Sequence, residues 1–157
     1  MTVMRDFVDV DRKYARSAHI ESDLEEWLGG RNGYVLTPLA CVSLERILGG
    51  LKNGGQRAWS IVGPYGSGKS SFALALAQLF LADSADLQAE LATRAPEVFG
   101  LLNSAKSEHG RFVPIFVSCS RGPIGPALKR GISAALDTSG LDAGITEPIV
   151  SSLDKCG

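Results

Sequence analysis

The sequence predicts an α/β fold in which a parallel sheet is flanked by helices, and three stretches of the chain carry this prediction. Residues 58–62 are short, apolar and bounded by turn residues, as in a buried strand. Residues 71–81 are strong helix formers with almost no polar face, so they predict a buried helix in which Gln78 is the residue best suited to touch water. Residues 112–118 form a second apolar run, and Pro114 indicates a strand at or near the sheet edge because proline lacks a backbone donor.

A glycine-rich motif, G-x-x-x-x-G-K-S, lies between the first predicted strand and the predicted helix. Its members, with the serine that follows, are Gly63, Pro64, Tyr65, Gly66, Ser67, Gly68, Lys69, Ser70 and Ser71. Gly66 and Gly68 can adopt positive φ, which lets phosphate approach the main chain, and the start of a helix favours anions. We expect Lys69 to reach the β- and γ-phosphates and the Ser70 hydroxyl to hold Mg²⁺. This Walker A motif therefore predicts binding of ATP with Mg²⁺ at residues 63–71.

Other helices follow from capping residues and from apolar periodicity. Thr37 and Pro38 suit the start of a helix of about 12 residues that glycines then end. Its apolar stripe comprises Leu39, Val42, Ile47 and Leu48, with Leu44 and Leu51 beside them. Further short helices are predicted at 21–28, 87–94, 96–102, 127–136 and 148–153. The glycine-rich residues 29–33 break the first of these helices, and residues 103–110 are predicted to form a polar surface loop that carries His109.

The chain has 157 residues, which is the usual length of one domain, and its net charge is −1. Such a charge gives no broad electrostatic footprint for nucleic acid or anionic membrane, although a local basic groove stays open as an alternative. No apolar run is long enough for a signal peptide or a membrane span. Cys41, Cys119 and Cys156 are scattered and lack metal spacing, which predicts reduced thiols and a cytoplasmic protein. His19 has no partner residues nearby that would indicate a site.

Three segments together resemble the opening of an AAA+ ATPase. They are the predicted helix before the motif, the stretch 57–72 that contains the motif, and the apolar run that ends near Cys119. They resemble more closely its origin-recognition and STAND-type relatives and the large ATP-binding proteins of bacterial defence loci. The resemblance covers residues 35–137 and implies an ATPase that acts on a macromolecular partner. It also implies that residues 34–38 hold the nucleotide base. We divide the chain into a lead-in segment, 1–34, and a partial nucleotide-binding domain of the P-loop type, 35–157.

A catalytic acid cannot be assigned. Hydrolytic P-loop ATPases need a second strand that ends in Asp or Asp-Glu, which orders Mg²⁺ and polarises the attacking water. Asp83, Asp137 and Asp154 follow apolar residues in helical or loop settings, and Arg121 is an arginine-finger candidate by position alone. The predicted sheet therefore lacks its middle strand, and we expect these residues to be the front part of a longer ATPase or a truncated reading frame.

Two alternatives to an ATPase stay open. A nucleotide-dependent switch or scaffold would bind ATP without hydrolysing it, whereas an ATPase would need an Asp-Glu strand beyond residue 157. A small-metabolite kinase is a poorer third alternative, because such enzymes begin almost at the loop. The expected partners are the nucleotide and either further segments of a longer chain or a second copy of it.

Overall fold

The computed structural model describes residue 20 and residues 34–52, 55–81, 85–110, 112–118 and 122–155. All regular secondary structure in these ranges is helical. The helices are α1 (Pro38–Lys52), α2 (Lys69–Leu81), α3 (Ala85–Arg94), α4 (Pro96–His109), α5 (Ile124–Ser139) and α6 (Ala143–Lys155). None of these helices is long and apolar enough to cross a membrane.

The predicted parallel sheet is wrong for the described residues. Residues 58–62 and 112–118 are extended, but neither run is part of a strand ladder. Ile61 is 47% exposed and Val62 is 89% exposed, so the first run is not buried either. An extended run becomes a strand only when a neighbouring strand supplies hydrogen bonds, and a short apolar run cannot by itself show that such a neighbour exists. The P-loop and AAA+ fold assignment, which requires that sheet, is contradicted together with it.

The core is built from helices α1 to α4, with α4 at the centre in contact with α1, α2 and α3. The burial of leucine and alanine faces stabilises this arrangement at roughly 25 cal/mol per Å² of apolar surface. Its buried members are Leu36, Ala40, Leu44, Leu48, Phe72, Leu74, Ala75, Leu79, Leu87, Leu91, Val98, Leu102 and Ala105.

Helix α1 begins as the sequence predicts, but it is longer, and only part of the predicted apolar stripe, including Leu44 and Leu48, is buried. The Thr37 hydroxyl accepts a hydrogen bond from the Ala40 N–H at 3.2 Å and so caps the helix. The helix then continues through the two glycines at 49–50 to Lys52 instead of ending there. Residues spaced by four, Ala40, Leu44 and Leu48, face the core. Leu39, which we placed on the apolar stripe, is 76% exposed.

The helix over residues 71–81 is confirmed, with one correction. It begins at Lys69 and buries several residues, among them Phe72, Leu74 and Leu79. Gln78 is also buried, at 1% exposed, so the expectation that it touches water is wrong. Because α2 is covered on most sides, its only amide side chain is taken into the interior together with the apolar ones.

Helices α3 and α4 confirm the predicted short helices at 87–94 and 96–102, but α4 replaces the predicted surface loop at 103–110. It continues to His109, and Ala105 within it is fully buried. His109 itself is exposed, as expected. Gly110 ends the helix with a φ of 71°, and its N–H donates to the Lys106 carbonyl at 3.0 Å. In this part of the helix Ala105 packs against the core among polar residues, which a polar composition did not indicate.

Helices α5 and α6 contact each other and are both longer than predicted, and Pro148 lies inside α6 instead of starting it. The extended run 112–118 passes close to α5, because a Cβ added to Gly131 would lie 2.6 Å from the Phe116 carbonyl oxygen. The predicted helix 21–28, its break at 29–33, and His19, Asp83, Cys119, Arg121 and Cys156 lie outside the described residues. The domain boundary at residue 34 stays a prediction.

Candidate phosphate-binding site

The candidate site is the glycine-rich loop of residues 63–70, which we call the phosphate loop. It leads directly into α2, whose first residue is Lys69. The Phe72 N–H donates to the Gly68 carbonyl at 2.8 Å, which closes the first turn of the helix. The backbone N–H groups that precede Phe72 have no carbonyl partner within the helix. They carry the positive end of the helix dipole, so the loop ends at a position that favours an anion.

The backbone of the phosphate loop has the conformation that its glycines predict. Gly66 has a φ of 79° and Gly68 a φ of 80°, values that residues with a side chain rarely adopt. A Cβ added to Gly63 would lie 2.8 Å from the Ser67 hydroxyl oxygen, so a larger residue there would require the Ser67 side chain to move. The Ser67 N–H donates to the Pro64 carbonyl at 3.3 Å and tightens the turn. The loop shape is therefore encoded within the motif itself.

Lys69 folds back across the phosphate loop. Its Nζ donates to the Gly63 carbonyl at 2.9 Å, to the Pro64 carbonyl at 2.7 Å and to the Ser67 hydroxyl at 3.4 Å. All three acceptors are neutral. An anionic phosphate oxygen attracts the Lys69 ammonium more strongly than a neutral oxygen does, because both partners are then charged, so a phosphate can replace these acceptors. The structure thus brings Lys69 together with Gly63, Pro64 and Ser67 in one small arrangement.

Most of the phosphate loop is open to solvent. Residues 61–68 are exposed, and Tyr65 at the tip is 92% exposed, whereas Lys69, Ser70 and Ser71 are partly buried at the start of α2. Ser70 is the predicted Mg²⁺ ligand. Among the described residues, no group of three or more His, Cys, Asp or Glu side chains could hold a metal ion.

The sequence around the loop carries positive charge without compensating acids. Between Glu45 and Asp83 the chain has no carboxylate, while it has Arg46, Lys52, Arg57 and Lys69. The net charge of −1 for the whole chain conceals this local excess. Sequence reasoning missed it because we considered the total, although a charge count in windows finds it directly.

Residues 34–38, which the resemblance assigned to base binding, are held against α3 at Leu36. The Glu90 carboxylate accepts a hydrogen bond from the Leu36 N–H at 3.4 Å, and the Arg94 guanidinium donates to the Leu36 carbonyl at 3.4 Å. Glu90 and Arg94 are themselves paired at 2.9 Å. Burial raises the pKa of the Tyr34 phenol above its usual value of 10.0, and the neighbouring Cys41 acts in the same direction. Tyr34 is therefore protonated at neutral pH. The role of this segment in base binding stays a prediction.

The acids that we considered for catalysis remain unassigned. Asp137 is exposed on α5, and Asp83 lies outside the described residues. No protein family matches the sequence, and no curated protein or solved structure is similar enough to match it.

Proposed function

We propose that this chain binds the phosphate groups of ATP or ADP, together with Mg²⁺, at residues 63–71. The observation that carries the proposal is the position of Lys69, whose Nζ lies 2.9 Å from the Gly63 carbonyl oxygen and 2.7 Å from that of Pro64. A lysine that bridges the two ends of a glycine loop, at the start of a helix, is poised to exchange neutral acceptors for phosphate oxygens. The proposal does not include a parallel sheet.

The residues have separate roles in this proposal. The backbone N–H groups of residues 66–70 bind the β-phosphate, with the dipole of α2 favouring its charge. Lys69 contacts the β- and γ-phosphate oxygens, and the Ser70 hydroxyl provides the protein ligand of Mg²⁺. The cation would neutralise phosphate charge when bound. Arg57, which lies in a stretch without carboxylates from residue 46 to residue 82, adds a positive field.

Hydrolysis is a separate question from binding. An ATPase acting on a macromolecule needs a positioned carboxylate to activate water, and no residue of the described part is assigned to that role. A nucleotide-dependent switch or scaffold needs only the binding step. We expect no turnover by this chain, and phosphate release by wild type beside Lys69→Ala decides between the two functions. Turnover near 1 s⁻¹ that depends on Lys69 would identify an ATPase.

The proposal is tested by isothermal titration calorimetry of ATP with MgCl₂. A charge-assisted interaction contributes about 1.5–3 kcal/mol, so Lys69→Ala should weaken binding roughly 10- to 100-fold. Lys52→Ala removes an equally positive but exposed side chain at the end of α1 and serves as the matched control. Ser70→Ala should lose the Mg²⁺-dependent part of the affinity while it keeps the rest.

Equal affinity of wild type and Lys69→Ala for ATP would contradict the proposal. So would equal losses from Lys69→Ala and Lys52→Ala, since that result would indicate a diffuse charge effect. Helical circular dichroism of each variant must match that of wild type, so that a loss of binding is not a loss of folding.

A reducing, cytoplasmic location belongs to the same proposal and is supported by the free thiol of Cys41.

A further inference from the structure

Residues 55–68 form one continuous exposed stretch between α1 and α2, and it carries aromatic side chains that stand in solvent. We call it the aromatic–cationic segment. Trp59 is 40% exposed, Tyr65 is 92% exposed, and Arg57 between the end of α1 and Trp59 is exposed as well. Large aromatic groups at a surface present flat apolar faces together with a polar handle, which is typical of binding surfaces.

Trp59 is held in place at one edge. A Cβ added to Gly50 would lie 2.5 Å from the Gln56 carbonyl oxygen and 3.1 Å from Cζ2 of Trp59, so the segment turns back over Gly50 near the end of α1. The Gly55 N–H closes this turn by donating to the Gly50 carbonyl at 3.2 Å. A ring that is already packed at one edge loses less conformational freedom when a ligand stacks on its open face.

Positive charges lie along the same stretch. Arg46 is one helical turn before Gly50 and therefore on the face of α1 over which Trp59 packs. Arg57 lies within the segment, and Lys69 follows its end. No carboxylate occurs in the sequence from 46 to 82, so Arg57 and Lys69 have no acid among their neighbours in the chain, whereas Glu45 lies directly before Arg46.

We propose that the aromatic–cationic segment binds single-stranded nucleic acid. The cations contact backbone phosphates while bases stack on Trp59 and Tyr65, the combination by which proteins bind single strands without reading sequence. The charge complementarity favours a nucleic acid over an apolar protein strand. A single strand is favoured over a duplex, because its bases have free faces. Trp59 and Tyr65 are separated by at most about 20 Å of extended chain, which suits site sizes of about 4–16 nucleotides.

The test is fluorescence anisotropy of a 5′-labelled oligothymidylate of about 12 nucleotides, titrated with the whole chain. Trp59→Ala and Tyr65→Ala should each weaken binding by about 5- to 100-fold, whereas Tyr65→Phe keeps the ring and should bind like wild type. Arg57→Ala should reduce the slope of log K against log salt by about 0.7, the value for one lost phosphate contact on a single strand. Arg130→Ala, an exposed arginine of α5, is the matched control and should leave that slope unchanged.

Any of three results would overturn the inference. The wild-type chain does not bind the oligonucleotide, or it binds a duplex of the same length equally well, or Trp59→Ala and Tyr65→Ala bind the oligonucleotide with wild-type affinity while both remain helical. The chain could instead self-associate with rising concentration and fail to bind the oligonucleotide. If Val62→Lys abolishes that self-association, the segment is assigned to strand pairing between copies of the chain. Calorimetry with ATP on the same preparation separates this inference from the proposed function. Binding of ATP without the oligonucleotide overturns only the inference, and the reverse result overturns only the proposed function.

Discussion

Leu44→Ala and Leu39→Ala make the same chemical change on one helix, and we expect only the first to destabilise the protein. Leu44 is 1% exposed and belongs to the core that α1 forms with its neighbours, whereas Leu39 is 76% exposed on the same helix. The pair therefore tests which face of α1 is buried. This is the point on which the structure differs from the apolar stripe that the sequence predicts.

The two expected effects differ by several kcal/mol. Truncation of a fully buried leucine to alanine costs about 2–5 kcal/mol, from the lost transfer free energy and from the cavity that remains. That is a large part of the 5–15 kcal/mol by which domains are usually stable. Truncation of an exposed leucine on a helix changes stability by about 0.5 kcal/mol or less, because alanine is at least as good a helix former.

Urea unfolding followed by helical circular dichroism measures both variants. With a denaturant dependence of about 1–3 kcal/mol per molar urea, a loss of about 3 kcal/mol lowers the midpoint by about 1–3 M. Leu39→Ala should move the midpoint by about 0.5 M at most. Comparable shifts for the two variants, or a larger shift for Leu39→Ala, would refute the assignment of the core-facing side of α1.

Three further substitutions test packing elsewhere. Gln78→Asp should destabilise by several kcal/mol because position 78 is 1% exposed, and thermal unfolding that matches wild type would contradict this burial. Gly131→Ala should cost about 1–3 kcal/mol, since the new Cβ would lie 2.6 Å from the Phe116 carbonyl oxygen and 2.8 Å from Val117 Cγ2, and an unchanged urea midpoint would show that the run 112–118 does not pack on α5. Gly100→Ala should stabilise by about 0.5–1 kcal/mol, because position 100 lies within α4 and an added Cβ meets nothing within 4 Å; a lower melting temperature would count against that helix.

Features that short-range chemistry determines could be predicted from the sequence. The start of α1 depends on the Thr37 hydroxyl and on the fixed φ of Pro38, and the start of α4 depends on Pro96 in the same way. The positive φ values of Gly66 and Gly68 follow from a motif of eight residues. Each of these features involves contacts between residues that are close in the chain, so a local pattern contains the information that specifies it.

Features that depend on distant residues could not be predicted in this way. The run 58–62 has a strand-like composition, yet a strand requires a partner, and the helices bury each other instead. Likewise, residues 103–109 are mostly polar, and only the contact of Ala105 with the core shows that α4 continues through them. The hydrogen bonds of Glu90 and Arg94 to Leu36 join residues far apart in the chain, and no local pattern indicates them.

The phosphate-binding proposal depends on features of the loop that the motif itself determines, so it does not require the predicted sheet. The absence of that sheet from the described residues nevertheless changes the expected binding energy of the phosphate. Because Val62 and the loop are exposed, Lys69 is held by the carbonyls of the loop itself and not by a covering strand. A phosphate must first release the two hydrogen bonds to Gly63 and Pro64, which the Lys69 ammonium donates and which are therefore charge-assisted themselves. That cost offsets part of the 1.5–3 kcal/mol of the new charge-assisted interaction, and Lys69→Ala does not incur it. We therefore expect the affinity lost in Lys69→Ala to lie at the tenfold end of the range of about 10- to 100-fold, with most of the remaining affinity coming from the N–H groups at the start of α2.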